Sequence, residues 1–238
     1  MLNTVLRMIE QGATHVGVAT DHVIESFRNS LWAGYKTGDG IEPALWKQFH
    51  PLEDALAAMG IRVWPMVELE ADDALASAAR SAAADQRAQK VCIWSPDKDL
   101  AQCVVKDRVV QMDRRSGDIR DAAGVKAKFG VVPELIPDYL ALVGDSADGY
   151  PGLPGYGAKT VARLLNKHGP IEAIPPEILG DRREDALLFK KLATLVADAP
   201  VLQNVDELQW RGAPASFAAV AEGIDARLAA RAERLRPG

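Results

Sequence analysis

Cysteine is scarce in this chain. Only Cys92 and Cys103 occur among 238 residues, with no metal-ligand spacing between them. A disulfide framework and a thiolate metal cluster are therefore excluded, and two thiols in apolar surroundings read as core residues of a protein kept in a reducing cytoplasm. Histidine is also sparse: His15, His22, His50 and His168 are scattered, which argues against a zinc site or a histidine-based triad. No apolar run approaches the ~20 residues of a membrane span. The first twelve residues lack the basic-then-apolar pattern of a leader. The expectation is a cytoplasmic protein without a membrane partner. A basic excess is missing too: the net charge is −5, which at first sight disfavours a nucleic-acid partner. Distribution matters more than the sum. Once the acids singled out below are set aside around divalent cations, the remaining charge turns positive.

What is present is ample core material. Apolar residues make up 48% and charged residues 26%, which fits a packed soluble protein of one large or two small domains. Residues 2–11 are helical in pattern. HVGVAT (15–20) reads as a buried strand, 43–59 as a helix, 61–64 as a strand, and the alanine-rich 71–84 as a strong helix. Strands are expected at 91–94 and 108–112, with a loop and short helix over 97–104 between them. Alternating strands and helices predict an α/β fold: a mostly parallel sheet flanked by helices. Beyond residue 121 the segments 122–129, 133–142, 157–168 and 183–197 all read as helices, 201–210 as an edge segment, and 215–235 as a terminal helix. The chain divides near residue 120 into an α/β part (1–120) and a helical part (121–238).

In a parallel α/β sheet, functional groups collect at the C-terminal ends of strands. Here those ends are acidic. Asp21 follows HVGVAT; Glu70, Asp72 and Asp73 sit in ELEADD; Asp97 and Asp99 sit in SPDKDL; Asp145 and Asp148 sit in GDSAD, three apart. Any one of these carboxylates could be a helix cap. A cap needs one carboxylate, however, and these segments supply several. Carboxylates gathered at one sheet edge repel and raise one another's pKa values unless cations neutralise them. Oxygen ligands without histidine or cysteine point to Mg²⁺ or Mn²⁺, and paired ions of this kind hydrolyse phosphodiesters.

The stretch GLPGYGAKT offers Gly152, four residues, Gly157, and then a lysine and a threonine. It is not a P-loop, because Ala158 separates Gly157 from Lys159 and no strand precedes it. What remains is a tight glycine turn (Pro154, Gly155, Gly157) opening a helix. The backbone N–H groups at such a start can hold a phosphate. The turn resembles a DNA helix-hairpin-helix, with an ordinary capped turn as the alternative. Arg163 and Lys167 follow Lys159 at intervals of four. They form either a phosphate-binding stripe or a solvated face.

ELEADD, SPDKDL, GDSAD and GLPGYGAKT, in this order and at these intervals, resemble the 5′-nuclease family. That family includes the 5′→3′ exonuclease domain of bacterial DNA polymerase I, phage 5′ nucleases and flap endonucleases. DHVIESFRNSLWAGYKTG is similar to the family segment that carries a metal-site Asp and then an Arg and a Lys near the scissile phosphate. The resemblance covers roughly residues 1–200. It implies a PIN-like nuclease core followed by a helix-three-turn-helix region near 144–170. It also implies a structure-dependent 5′ nuclease, serving DNA repair and replication, that hydrolyses DNA at 5′ ends, flaps or gaps by a two-metal mechanism. Asp21, Glu70, Asp72, Asp73, Asp97, Asp99, Asp145 and Asp148 would line a site for two Mg²⁺ or Mn²⁺ ions. Arg28 and Lys36 would neutralise the phosphate under attack. Gly152, Gly155, Gly157, Lys159, Arg163 and Lys167 would grip the duplex, with a K⁺ at the loop. The protein would be cytoplasmic, nucleoid-associated when on DNA, and no polymerase or clamp partner is implied by name.

The match has one gap. The family opens on a central strand bearing a further metal-site Asp, whereas the first acid here is Glu10, inside the first helical segment. The expectation is an N-terminally shortened member that exposes apolar strand surface and unpaired backbone. Two rival readings follow: a DNA-structure-binding protein that no longer cuts, and a ribonuclease of the acidic-cluster α/β type, against which the glycine loop argues.

Overall fold

The computed structural model describes residues 1–113 and 116–236. Helix α1 (Leu2–Glu10) leads into strand β1 (Gly17–Asp21), helices α2 (Phe27–Leu31), α3 (Pro43–Trp46) and α4 (Phe49–Ala58), and strand β2 (Arg62–Met66). Helix α5 (Ala71–Ala84) and strands β3 (Val91–Trp94), β4 (Val109–Met112) and β5 (Ile119–Arg120) complete the α/β part. The helical part holds α6 (Ala122–Phe129), α7 (Ile136–Val143), α8 (Ala158–His168), α9 (Pro176–Leu179), α10 (Arg183–Ala193), α11 (Phe217–Glu222) and α12 (Arg227–Arg234).

Two predicted helices are each divided in the structure. The 43–59 segment breaks between α3 and α4. Pro51 then falls in the first turn of α4, where its missing N–H deprives no carbonyl, instead of in a helix interior. The 215–235 segment breaks at Gly223, and the Asp225 carboxylate accepts from the Arg227 N–H at 3.0 Å to start α12.

The parallel pairing expected from the sequence is present, but in two ladders. Gly17 to Asp21 pair with Arg62 to Met66, and Val91 to Trp94 pair with Val109 to Met112. The short β5 runs antiparallel to β4. Among the described residues no hydrogen bond joins β1–β2 to β3–β4–β5. Helix α5 packs on strands of both ladders. Its alanines make this possible, because a methyl group lets the helix backbone come close. Ala74 and Ala78 pack with Trp64 of β2, while Ala76 and Ala79 pack with Ile93 and Val109. β1 is only half-buried along its whole length, and Cys92 in β3 is exposed. The core placement expected of both cysteines is therefore corrected: only Cys103 is partly covered. Among the described residues β3 pairs with β4 alone, which leaves Cys92 on an edge strand.

The helical part contributes to two cores. Ile136, Leu140, Leu165 and Phe189 bring α7, α8 and α10 together. The last segment returns to the α/β part. Val16 N–H donates to the Leu208 carbonyl at 2.8 Å, Trp210 N–H to Thr14 at 3.0 Å, and the Trp210 indole to Met59 at 3.0 Å. Phe217 and Leu228 share a core with Leu6, Leu56 and Met59.

Candidate metal centre

The strand-end acids converge on the N-terminus of α5. The Asp21 carboxylate, at the end of β1, accepts from the Ala71 N–H at 2.7 Å, so the first strand caps the helix. Asp72, in the first turn of α5, meets Asp97 and Asp99 from the segment after β3. One carboxylate oxygen of each lies within 4.8 Å of the others. Asp99 is buried, and its Oδ1 has no hydrogen-bond partner. A buried carboxylate oxygen left unpaired is costly and calls for a cation or water. All donors in this set are oxygens, which suits a hard divalent cation. Electrostatics agree. Burial first, and then the Asp97 carboxylate, push the Asp72 carboxyl up to about 8. Burial and then Asp72 hold Asp99 well above the usual carboxylate range.

The other acids have protein cations already. Lys36 Nζ lies 2.8 Å from Glu70 and 3.1 Å from Asp148. Burial works against the Lys36 ammonium, but the two carboxylates outweigh it and raise its pKa. Burial raises Asp148 in spite of Lys36. Lys98 Nζ is 2.8 Å from Asp145, tying the segment after β3 to the helical part.

Arg28 and Asp73 form a buried pair beside Glu70. The guanidinium holds both Asp73 oxygens at 2.8 Å and reaches Glu70 at 3.2 Å, the Leu192 carbonyl at 2.9 Å and the Thr194 carbonyl at 3.1 Å. Asp73 also accepts from the N–H groups of Glu70 and Val196, each at 2.9 Å. Arg28 is 1% exposed and Asp73 0%. Both were expected at the phosphate and the metal. Here the two bind each other, the guanidinium also engaging Glu70 and two backbone carbonyls and the carboxylate two backbone N–H groups.

The glycine loop divides by role. Gly152 has φ +69, and a Cβ there would fall on the backbone of Gly144, Val143 and Leu142, so it serves a close chain crossing. At Gly155 and Gly157 a Cβ would meet nothing within 4 Å. These two leave the start of α8 open to a visitor. Lys159, Arg163 and Lys167 are all exposed, opposite the buried Val161 and Leu165, and no ion pair engages them among the described residues.

Residues 1–130 match the N-terminal resolvase-like domain of 5′-3′ exonucleases, and residues 131–216 match their C-terminal SAM fold. The chain belongs to the 5′-3′ exonuclease family. It is 36% identical over 227 residues to DNA polymerase I of Bacillus caldotenax, covering 89% of this chain and 25% of that one. It is 34% identical over 200 residues to a 5′-3′ exonuclease of Aquifex aeolicus, covering 81% of this chain and 68% of that one. The chain thus spans about a quarter of the length of the polymerase relative. Its fold is similar to that of T5 5′-exonuclease with bound zinc, with a TM-score of 0.69 at 20% identity over 93% of this chain and 89% of that one. The catalytic core of Rad2 in complex with DNA substrate aligns with a TM-score of 0.57 at 13% identity, covering 98% of this chain and 81% of that one.

Within this 5′-3′ exonuclease fold, three features escaped the sequence reading. Lys98 lies inside SPDKDL, but its pairing with Asp145 joins residues 47 apart in sequence. Tyr150 is 1% exposed and its hydroxyl has no hydrogen-bond partner. Its place directly after GDSADG was the available signal. Trp32, in the segment after Arg28, is held by its indole N–H to the Gly149 carbonyl at 3.1 Å, and Tyr35 is buried. The scatter of the histidines proves to hold in sequence only, since His22 and His50 meet beside Glu53. No described helix is long and apolar enough to cross a membrane.

Proposed function

We propose that this chain is a structure-dependent 5′ nuclease that hydrolyses DNA phosphodiesters at 5′ ends or flaps with two Mg²⁺ or Mn²⁺ ions. The observation that carries the reading is the all-oxygen set of Asp72, Asp97 and Asp99, with the unpaired Oδ1 of buried Asp99. Asp72, Asp97 and Asp99 would hold the cations, and Asp21, Glu70, Asp145 and Asp148 would support them, some through water. When bound, such ions activate water and stabilise the leaving oxygen. Lys36, paired to Glu70 and Asp148 but 26% exposed at its side chain, is positioned to turn its ammonium toward a phosphate oxygen once cations replace it at the carboxylates. Arg28 acts as a positioning residue: by clamping Asp73 and Glu70 it fixes the first turn of α5, and with it Asp72. The open glycines and the basic stripe of α8 would hold the duplex backbone, contacts that position without reading sequence. A K⁺ at the loop belongs to the same proposal. The 1–120 part would then carry most of the cation site and the 121–238 part the duplex grip, with Asp145 and Asp148 reaching back to the cations.

The test is cleavage of a 5′-flap DNA in Mg²⁺ or Mn²⁺ by the chain and by Asp97→Asn and Asp99→Asn variants, with flap binding measured in chelator. Metal-dependent cutting that both variants lose while binding the flap within a few-fold supports the proposal. Cutting retained by Asp99→Asn overturns the metal assignment. Binding without any cutting by the parent chain, for which the break between the two ladders is the structural motive, favours the non-cutting DNA-binding reading. Preference for an RNA flap over a DNA flap favours the ribonuclease reading.

A further inference from the structure

A second group of ligand-type side chains lies outside the acidic set. His22 is the first residue after β1, and its N–H donates to the Met66 carbonyl at 3.0 Å, which fixes it in the β1–β2 register. His50 and Glu53 are three apart in α4, on one helix face. The three bring one nitrogen or oxygen each to within 4.8 Å of one another. His22 Nδ1 stands 2.8 Å from Glu53 Oε2, and the two imidazoles meet edge to face with centroids 4.1 Å apart. The other Glu53 oxygen accepts from the Thr20 hydroxyl at 2.6 Å. Glu53 is buried, His22 half-buried and His50 exposed, so the group opens to solvent on the His50 side.

Strand alternation separates this group from the acidic set. Successive side chains of a strand point to opposite faces. Thr20 and His22 therefore turn to α4, while Asp21 between them turns to α5 and the Ala71 N–H. The donors differ as well: two imidazoles and one carboxylate prefer a borderline transition-metal ion to Mg²⁺. The Thr20 hydroxyl bond to Glu53 supplies the outer support that metal-binding carboxylates generally have.

We infer that His22, His50 and Glu53 form a transition-metal site that takes Zn²⁺ or Co²⁺, three-ligand and open to water at the fourth position. Around a tetrahedral ion with bonds of ~2.0–2.1 Å, ligand atoms stand ~3.3 Å apart. The present His22–Glu53 separation then has to widen by about half an ångström, which an imidazole at a strand end and an exposed His50 permit. The bound ion replaces the hydrogen bond between His22 and Glu53 and ties the end of β1 to α4. Three protein ligands with a fourth position left to water is the pattern of zinc sites that keep an open coordination position.

The experiment uses the full chain carrying Asp97→Asn and Asp99→Asn, so that the acidic set cannot contribute. Co²⁺ is titrated and followed by visible absorption, and Zn²⁺ is then titrated in competition with a chromophoric chelator. The expected result is one equivalent of Co²⁺ with the intense visible bands of four-coordination, displaced by one Zn²⁺. His50→Ala, at an exposed position, should weaken binding at least tenfold with an unchanged circular dichroism spectrum. Thr20→Val should weaken it about tenfold through Glu53. Absence of visible bands at saturating Co²⁺, or an affinity unchanged in a folded His50→Ala protein, overturns the site.

Discussion

Replacing Arg28 by alanine removes the whole donor set that neutralises Asp73. The carboxylate, 0% exposed, would keep its two backbone N–H bonds but lose its cation, and the Leu192 and Thr194 carbonyls would lose their donors. Breaking a buried pair from one side costs about 3–5 kcal/mol. That is a large share of the ~5–15 kcal/mol that typically separates a folded domain from its unfolded chain. With a urea slope of about 3 kcal/mol per molar, the midpoint should fall by roughly 1–2 M. Unfolding followed by tryptophan fluorescence measures it. Arg28→Lys should recover little, because an ammonium cannot make the two parallel bonds of a guanidinium. The double variant Arg28→Met with Asp73→Leu should be more stable than Arg28→Ala, since apolar replacement of both partners leaves no unpaired charge. A midpoint that moves by less than about 0.3 M in Arg28→Ala would refute the reasoning about the buried pair. A stable double variant that loses flap cleavage a thousandfold would show that the pair serves the chemistry as well as the fold. For the same reason Asp73→Asn is expected to act on stability before chemistry, and Asp97→Asn is the cleaner probe of the metal set.

Three further outcomes are expected. The raised Asp72 pKa favours the folded state at low pH: its contribution is complete below about 4 and is lost as pH rises to about 8. Melting in chelator should therefore show a falling Tm over that window, flattened by Mg²⁺, with Mg²⁺ binding tighter at pH 8.5 than at 6.5 and releasing protons by calorimetry. Lys159→Ala with Arg163→Ala should weaken duplex binding and lower the slope of log K against log salt by about 2, leaving the metal site unaffected. Gly152→Ala should destabilise by well over 1 kcal/mol, because φ is positive and backbone fills the Cβ position, whereas Gly157→Ala, in open space at φ −77, should be nearly neutral in chemical denaturation.

Much of the molecule was readable in the chain. β1 to β4 and the long helices fall where hydrophobic period and alanine content put them. The acids of ELEADD and SPDKDL gather because both segments directly follow parallel strands over one helix, a local rule applied twice. What escaped was decided by distant partners. The role of Arg28 depends on the Leu192 and Thr194 carbonyls, more than 160 residues away in sequence. The exposure of Cys92 depends on which strands pair, something a short apolar run does not state. His22 and His50 are neighbours only because α4 packs back over β2. The return of residues 205–235 to α1, sealed by Arg231 on Glu10, likewise comes from tertiary packing.

The two ladders under a shared α5 have a mechanical consequence. Asp21 travels with β1, Asp97 and Asp99 travel with β3, and Asp72 rides on the helix between them. Any shear of one ladder against the other changes the spacing of these proposed cation ligands directly, because no strand hydrogen bonds resist it among the described residues. A divalent ion bridging Asp72 to Asp97 and Asp99 would act as a clasp across that seam. Loading the site and stiffening the sheet would then be the same event, visible as slowed amide exchange in β3 on addition of Mg²⁺.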